Sequence, residues 1–134
     1  MKNVVILCML CVFFIACNND DTNNSQVTDI VGTWKLIEYY ADPGNGVVNF
    51  IPIVSDKTIE FNADGSLSSN ADLCQLFSET GDASNGTYSE LDSTYTISGC
   101  QIQPFTGSYE IINSELFFSY ICIEPCVEKY IKVE

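Results

Sequence analysis

The 134-residue chain contains no histidine and no arginine. Without histidine it lacks the ordinary general base near neutral pH, the Ser-His and Cys-His nucleophile pairs and most catalytic zinc sites. Five lysines stand against eighteen acids, so the basic footprint that displaces counterions from nucleic acid is missing too. The acids (Asp29, Glu38, Asp42, Asp56, Glu60, Asp64, Glu79, Glu90, Glu110 and Glu128 among them) are scattered, which reads as a solubilising surface. No segment has the alternating oxygen ligands and closing glutamate of a calcium loop, and no acid pair stands out as a glycosidase pair. The composition therefore points away from an enzyme, with no catalytic residue, metal, cofactor or nucleic-acid partner expected. No apolar run reaches the roughly 20 residues of a spanning helix, and no useful window shows a 3.6-residue period.

What the chain does have begins at its N-terminus. Lys2 precedes thirteen apolar residues, 4–16, which suit the h-region of a secretory signal, and Ala16 is the small residue that a signal peptidase prefers. Phe14-Ile15-Ala16-Cys17 resembles the lipobox of a bacterial lipoprotein. That resemblance implies that Cys17 becomes the mature N-terminus and carries a diacylglyceryl thioether and an amide-linked acyl chain, an anchor to the membrane. Secretion with cleavage nearby is the alternative. Beyond residue 16 stand Cys17, Cys74, Cys100, Cys122 and Cys126, an odd number for an exported protein, and lipidation of Cys17 leaves four. Asn18-Asn19-Asp20-Asp21 resembles the acidic stretch that sends some Gram-negative lipoproteins to the cell surface of the outer membrane. Residues 1–16 thus read as a signal, 17–28 as a lipidated polar tether and 29–134 as one folded domain.

From residue 29 onward, short runs of Val, Ile, Thr, Tyr and Phe are cut by Gly, Asn, Asp and Ser, the texture of strands and turns. Eight strands are expected, at 32–40, 58–62, 66–68, 87–90, 93–98, 108–112, 116–121 and 127–132. Ala63-Asp64-Gly65 marks the clearest hairpin, and Pro52, Pro104 and Pro125 are expected between strands. The fold class is all-β: an antiparallel up-and-down meander, which loses its two open edges by closing into a barrel. The strand at 116–121 is apolar on both faces, so its outer face needs a cover from the tether or the 42–56 loop.

Ile30-Val31-Gly32-Thr33-Trp34 at the start of the first strand resembles the lipocalin family, in particular the short lipocalin-like domains of bacterial lipoproteins. The similarity extends to Thr58-Ile59-Glu60-Phe61-Asn62-Ala63-Asp64-Gly65, to Gly86-Thr87-Tyr88 and to the ending 122–132. It implies that Gly32 and Trp34 form the barrel floor. The arginine that stacks on that tryptophan in the family has no counterpart in an arginine-free chain.

An oxidising export route favours disulfides among Cys74, Cys100, Cys122 and Cys126. Cys122 and Cys126 would lie about 13 Å apart along one extended strand, so they can join only across a turn at Ile123-Glu124-Pro125. The reading leans to Cys122–Cys126 with Cys74–Cys100, and cross-pairing of the two sets stays open. Two functions follow from a closed eight-strand barrel. It can hold a small hydrophobic ligand at its mouth, lined by Leu36, Tyr88, Tyr95, Ile97, Tyr109, Phe118 and Tyr120, unless these are ordinary core. Alternatively it is an interaction or structural lipoprotein with a filled interior that meets an envelope partner through its surface or long loops. The oligomeric state is not legible.

Overall fold

The computed structural model describes residues 29–134 other than 43, 45 and 48. The signal segment, Cys17 and the tether lie outside the described residues. Nine strands form one antiparallel sheet: β1 (Gly32–Ala41), β2 (Ile51–Pro52), β3 (Thr58–Phe61), β4 (Ser66–Ala71), β5 (Thr80–Ser89), β6 (Thr94–Ile97), β7 (Phe105–Ile112), β8 (Glu115–Ser119) and β9 (Cys126–Lys132). Eight of them pair in chain order, and β9 returns to β1, which closes the barrel and removes its edges. β2 is the addition. It pairs with Glu38 and Tyr39, on the side of β1 where β3 pairs with residues 32–35. Pro52 therefore lies inside a strand and not between strands; a two-residue flanking strand tolerates the missing N–H.

The connections sort the barrel into two unlike ends. Turns 62–65, 90–93 and 113–114 are tight and sit at one end; connections 42–57, 72–79, 98–104 and 120–125 are long and sit at the other. Chain entry is at the hairpin end. There Trp34 is fully buried, its indole N–H donates to the Ile30 carbonyl at 2.8 Å, and Gly32 takes a φ of +129°. A side chain on Gly32 would meet the backbone of Glu134, so glycine is required on both counts. The Lys132 ammonium lies 5.7 Å from the Trp34 ring centroid and donates to the Asp29 carbonyl at 2.8 Å.

A register shift between Leu36 and Glu38 changes which face β1 presents. Trp34 and Leu36 are buried in the core, Tyr39 is then opposite the buried Glu128, and Tyr40 turns to the outside. Outside, the Phe50 ring packs 5.8 Å from Tyr40 and 5.7 Å from Phe117, with the Lys129 ammonium 4.5 Å from the Phe50 centroid. The 42–57 connection thus supplies the cover that the doubly apolar β8 requires.

Inside, Tyr95 stacks on Phe118 at 3.8 Å and passes over Gly107, its register partner, to donate to the Ser119 carbonyl at 2.8 Å. A Cβ at position 107 would run into the Tyr95 ring and the Ser119 carbonyl. Gly107→Ala is expected to lower stability by about 1–3 kcal/mol, as overpacking does in a dense core. The shift of the urea unfolding midpoint measures it; an unchanged midpoint would mean that Tyr95 is free to move aside.

Candidate functional site

The feature that composition concealed lies just below the loop-bearing end. Lys57, the last residue before β3, and Glu128, in β9, are both fully buried, and the Lys57 ammonium touches both Glu128 oxygens, at 3.0 and 2.9 Å. Glu128 was expected on the solubilising surface. The alternation of β9 buries Cys126, Glu128 and Tyr130 and leaves Val127, Lys129 and Ile131 less buried, so the carboxylate enters the barrel. It is made tolerable there by donors: the Tyr120 hydroxyl at 2.6 Å, the Tyr130 hydroxyl and the Phe77 backbone N–H at 3.3 Å. Lys57 spends its remaining protons on the Tyr120 hydroxyl at 3.1 Å and the Ser78 hydroxyl at 3.0 Å. Among the described residues no buried side-chain nitrogen or oxygen lacks a partner. A charge pair out of water demands this saturation, because an incomplete set leaves a desolvated charge.

Ser78 and Phe77 belong to the 72–79 connection, so the cluster also clasps that segment over the interior. Ser78 donates back to the Asp72 carbonyl, Leu73 is fully buried, and the Leu73 N–H is held by Ser84 at 2.9 Å. Phe77 adopts a left-handed φ of +62° and sets its ring against Tyr39 at 4.4 Å. Two disulfides fasten the same end. Cys74 joins Cys100, with Cα atoms 5.5 Å apart, tying the 72–79 and 98–104 connections; Cys122 joins Cys126 across the last turn, with Cα atoms 6.2 Å apart.

The seven residues nominated for a ligand share the interior but do not share a mouth. Leu36, Tyr95, Ile97, Tyr109, Phe118 and Tyr120 are buried and Tyr88 is partly buried, all packed in or against one core cluster. Tyr88 and Tyr109 sit at the hairpin end, where they meet the Phe61 ring edge-on and tilted and donate to the Asn62 and Ser89 carbonyls. Tyr120 lies in the charged cluster. Leu36 reaches an open cleft at the loop-bearing end: about 270 Å³ between the 53–56 and 77–80 segments, with Leu36 and Ser78 among its walls and Ile53, Val54, Asp56, Phe77 and Glu79 around them; Tyr109 borders a different one, of about 550 Å³, with Tyr40, Phe50 and Phe117. Through Ser78 this cleft is one hydrogen bond from Lys57.

Burial dominates the protonation chemistry. It pulls the Lys57 ammonium below the usual lysine value against the opposing pull of Glu128. It pushes the Tyr120 and Tyr130 hydroxyls well above the usual tyrosine value, raises Tyr95 likewise, and lifts Tyr109 to about 12. Above pH 10 the unfolded chain releases these phenolic protons while the folded chain keeps them. The unfolded state then binds fewer protons, so stability falls as pH rises from 10 through about 12 and beyond. Lys57 contributes with the opposite sign up to its unfolded value of 10.5, one ammonium against four phenols. An alkaline titration followed by phenolate absorbance is expected to show Tyr95, Tyr120 and Tyr130 ionising only with loss of the fold. Smooth ionisation of every tyrosine near pH 10 in folded protein would contradict this burial.

No curated protein matches the chain. A family model described as a lipocalin-like domain matches residues 30–132, the whole of the closed barrel, and the chain belongs to that family.

Proposed function

We propose that the protein is a lipid-anchored lipoprotein of the outer membrane whose lipocalin-like barrel takes a small ligand at its loop-bearing end. The lipid, on Cys17, and the location rest on the signal-like N-terminus and on cysteine parity: with Cys74–Cys100 and Cys122–Cys126 bonded, Cys17 is the thiol left over beyond the signal segment. The ligand reading rests on one observation. The 270 Å³ cleft joins apolar walls to a hydroxyl that leads straight to a buried, preorganised ammonium and carboxylate, the mixture that ligand sites use. Its size limits the ligand to a small molecule or to one end of a longer one. Purification from the native host under non-denaturing conditions, followed by mass spectrometry, tests both parts. The expected results are a triacyl or diacyl mass on Cys17 and a bound small molecule that is lost in Ser78→Phe; an unmodified Cys17 defeats the anchor, and empty protein defeats the ligand.

A second reading is favoured by the interior itself. Trp34, Phe61, Tyr95, Phe118 and Tyr130 fill the barrel, and filling favours an interaction protein over a carrier.

A further inference from the structure

We infer that the loop-bearing end is a docking face for a basic, amphipathic segment of a partner protein, an inference that rests on the interaction reading and names the partner's chemistry. The exposed apolar side chains of the barrel are not spread evenly. Val54 is 104% exposed, Ile123 103% and Ile102 74%, and Ile51, Ile121 and Phe77 are about half exposed; all six stand on the long connections of one end, whereas at the hairpin end Leu91, at 93%, is exposed to that degree and Ile112, Ile131 and Val133 are exposed by half or less. Val54, Ile102 and Ile123, largely in water on these connections and outside the core cluster, are the mark of a contact surface.

The second observation is charge. Asp56, Glu79 and Glu124 stand exposed between those tips, and Asp72 lines a further cleft. Lys35 is held by Asp56 at 3.1 Å and offsets that one acid; of the other lysines among the described residues, Lys57 is buried in its ion pair, Lys129 is bound to Glu38 on the barrel wall and Lys132 is spent at the opposite end, so none is paired with Glu79 or Glu124. With no arginine or histidine in the chain, the charge left unbalanced on this face is acidic. Its complement is a segment that carries lysines or arginines on one side and aliphatic or aromatic residues on the other.

The shape agrees. Clefts lie on both sides of the clasped 72–79 segment: the 270 Å³ cleft with Val54, Phe77 and Glu79, and one of about 470 Å³ with Asp72, Gln75, Ile102 and Phe105. Each combines apolar and neutral polar walls with an acid, so two apolar side chains of one segment can be seated while its cations meet Glu79 and Asp72. The two disulfides hold these connections in place before binding, which reduces the ordering that docking would otherwise require.

The test uses the mature chain with Cys17→Ser, so that no acyl chain competes, and a synthetic helical peptide of alternating lysine and leucine faces, measured by calorimetry. Binding is expected to weaken roughly tenfold between low and physiological salt. Val54→Ser with Ile123→Ser, and Glu79→Gln with Glu124→Gln, are each expected to weaken it about tenfold or more, while Leu91→Ser with Asp92→Asn at the hairpin end leaves it unchanged. Unfolding midpoints of all variants confirm that the fold is kept. Equal loss from the hairpin-end pair means unspecific attraction to an acidic protein, and it overturns the inference, as does absence of binding. A photo-crosslinker at position 54 in native envelopes separates the two levels: capture of a protein there alongside a silent peptide leaves the interaction reading standing and only its chemistry wrong, whereas no capture sinks both.

Discussion

Lys57→Met is expected to lower folding stability by about 3–5 kcal/mol, a large share of the roughly 5–15 kcal/mol of a domain. The substitution keeps the length of the side chain but leaves the Glu128 carboxylate buried, with only the two tyrosine hydroxyls and the Phe77 N–H to hold its charge. It also releases Ser78, so part of the loss is the 72–79 segment coming loose. Glu128→Leu is expected to cost a similar amount for the reverse reason, because the Lys57 ammonium then loses its counter-charge in the same enclosed space. The double variant Lys57→Met/Glu128→Leu should recover most of the loss, since no charge is left to desolvate and two apolar side chains fill a comparable volume. A double-mutant cycle in urea measures all three. Single losses below about 1 kcal/mol would instead describe a pair wetted by solvent, of the kind found on surfaces.

Cys74→Ser/Cys100→Ser is expected to cost about 3 kcal/mol, and Cys122→Ser/Cys126→Ser clearly less. The first bridge closes a separation of 26 residues and the second a separation of 4, so the first removes far more freedom from the unfolded chain. Thermal unfolding of the two double variants checks the ranking, with the first shifted by roughly 10–20 °C. The bridges also differ in what they hold. Losing Cys74–Cys100 frees one end of the segment clasped by Lys57 and Glu128, so hydrogen exchange should rise across 72–79 and 98–104, whereas loss of Cys122–Cys126 should act only on 120–125. A reversed ranking would mean that the last turn, and not the segment over the interior, is what the barrel depends on.

Much of this architecture was legible because strand alternation and turn chemistry agree with one another over most of the domain. Asp64-Gly65 marks the turn between β3 and β4, Gly-x-Trp marks the start of the first strand, and the doubly apolar β8 signals that something covers its outer face. β5 was the least legible strand: Thr80-Gly81-Asp82-Ala83-Ser84-Asn85-Gly86 has no apolar alternation, and it becomes a strand because β4 and β6 pair with it on either side. The charged cluster was illegible for a different reason. In Val127-Glu128-Lys129-Tyr130-Ile131 either parity puts apolar side chains inside, and the choice that buries Tyr130 also buries Glu128. Composition treats an acid as surface, whereas here four hydrogen-bond donors around it, the Lys57 ammonium, the Tyr120 and Tyr130 hydroxyls and the Phe77 N–H, reverse that preference. Lys57 gave no signal of its own, since its partner in β9 is distant in sequence and only barrel closure joins them.

The claim on which the functional account turns is that the barrel is sealed inside and that recognition belongs to its loop-bearing end. Backbone amide chemical shifts of the mature chain, recorded while a soluble envelope extract of the native host is added, test it directly. The account predicts shifts confined to 51–57, 72–80, 98–104 and 120–125, with the amides of Tyr95 and Phe118 unmoved. Shifts centred on Tyr95 and Phe118, or on the hairpins at 62–65 and 90–93, would contradict it.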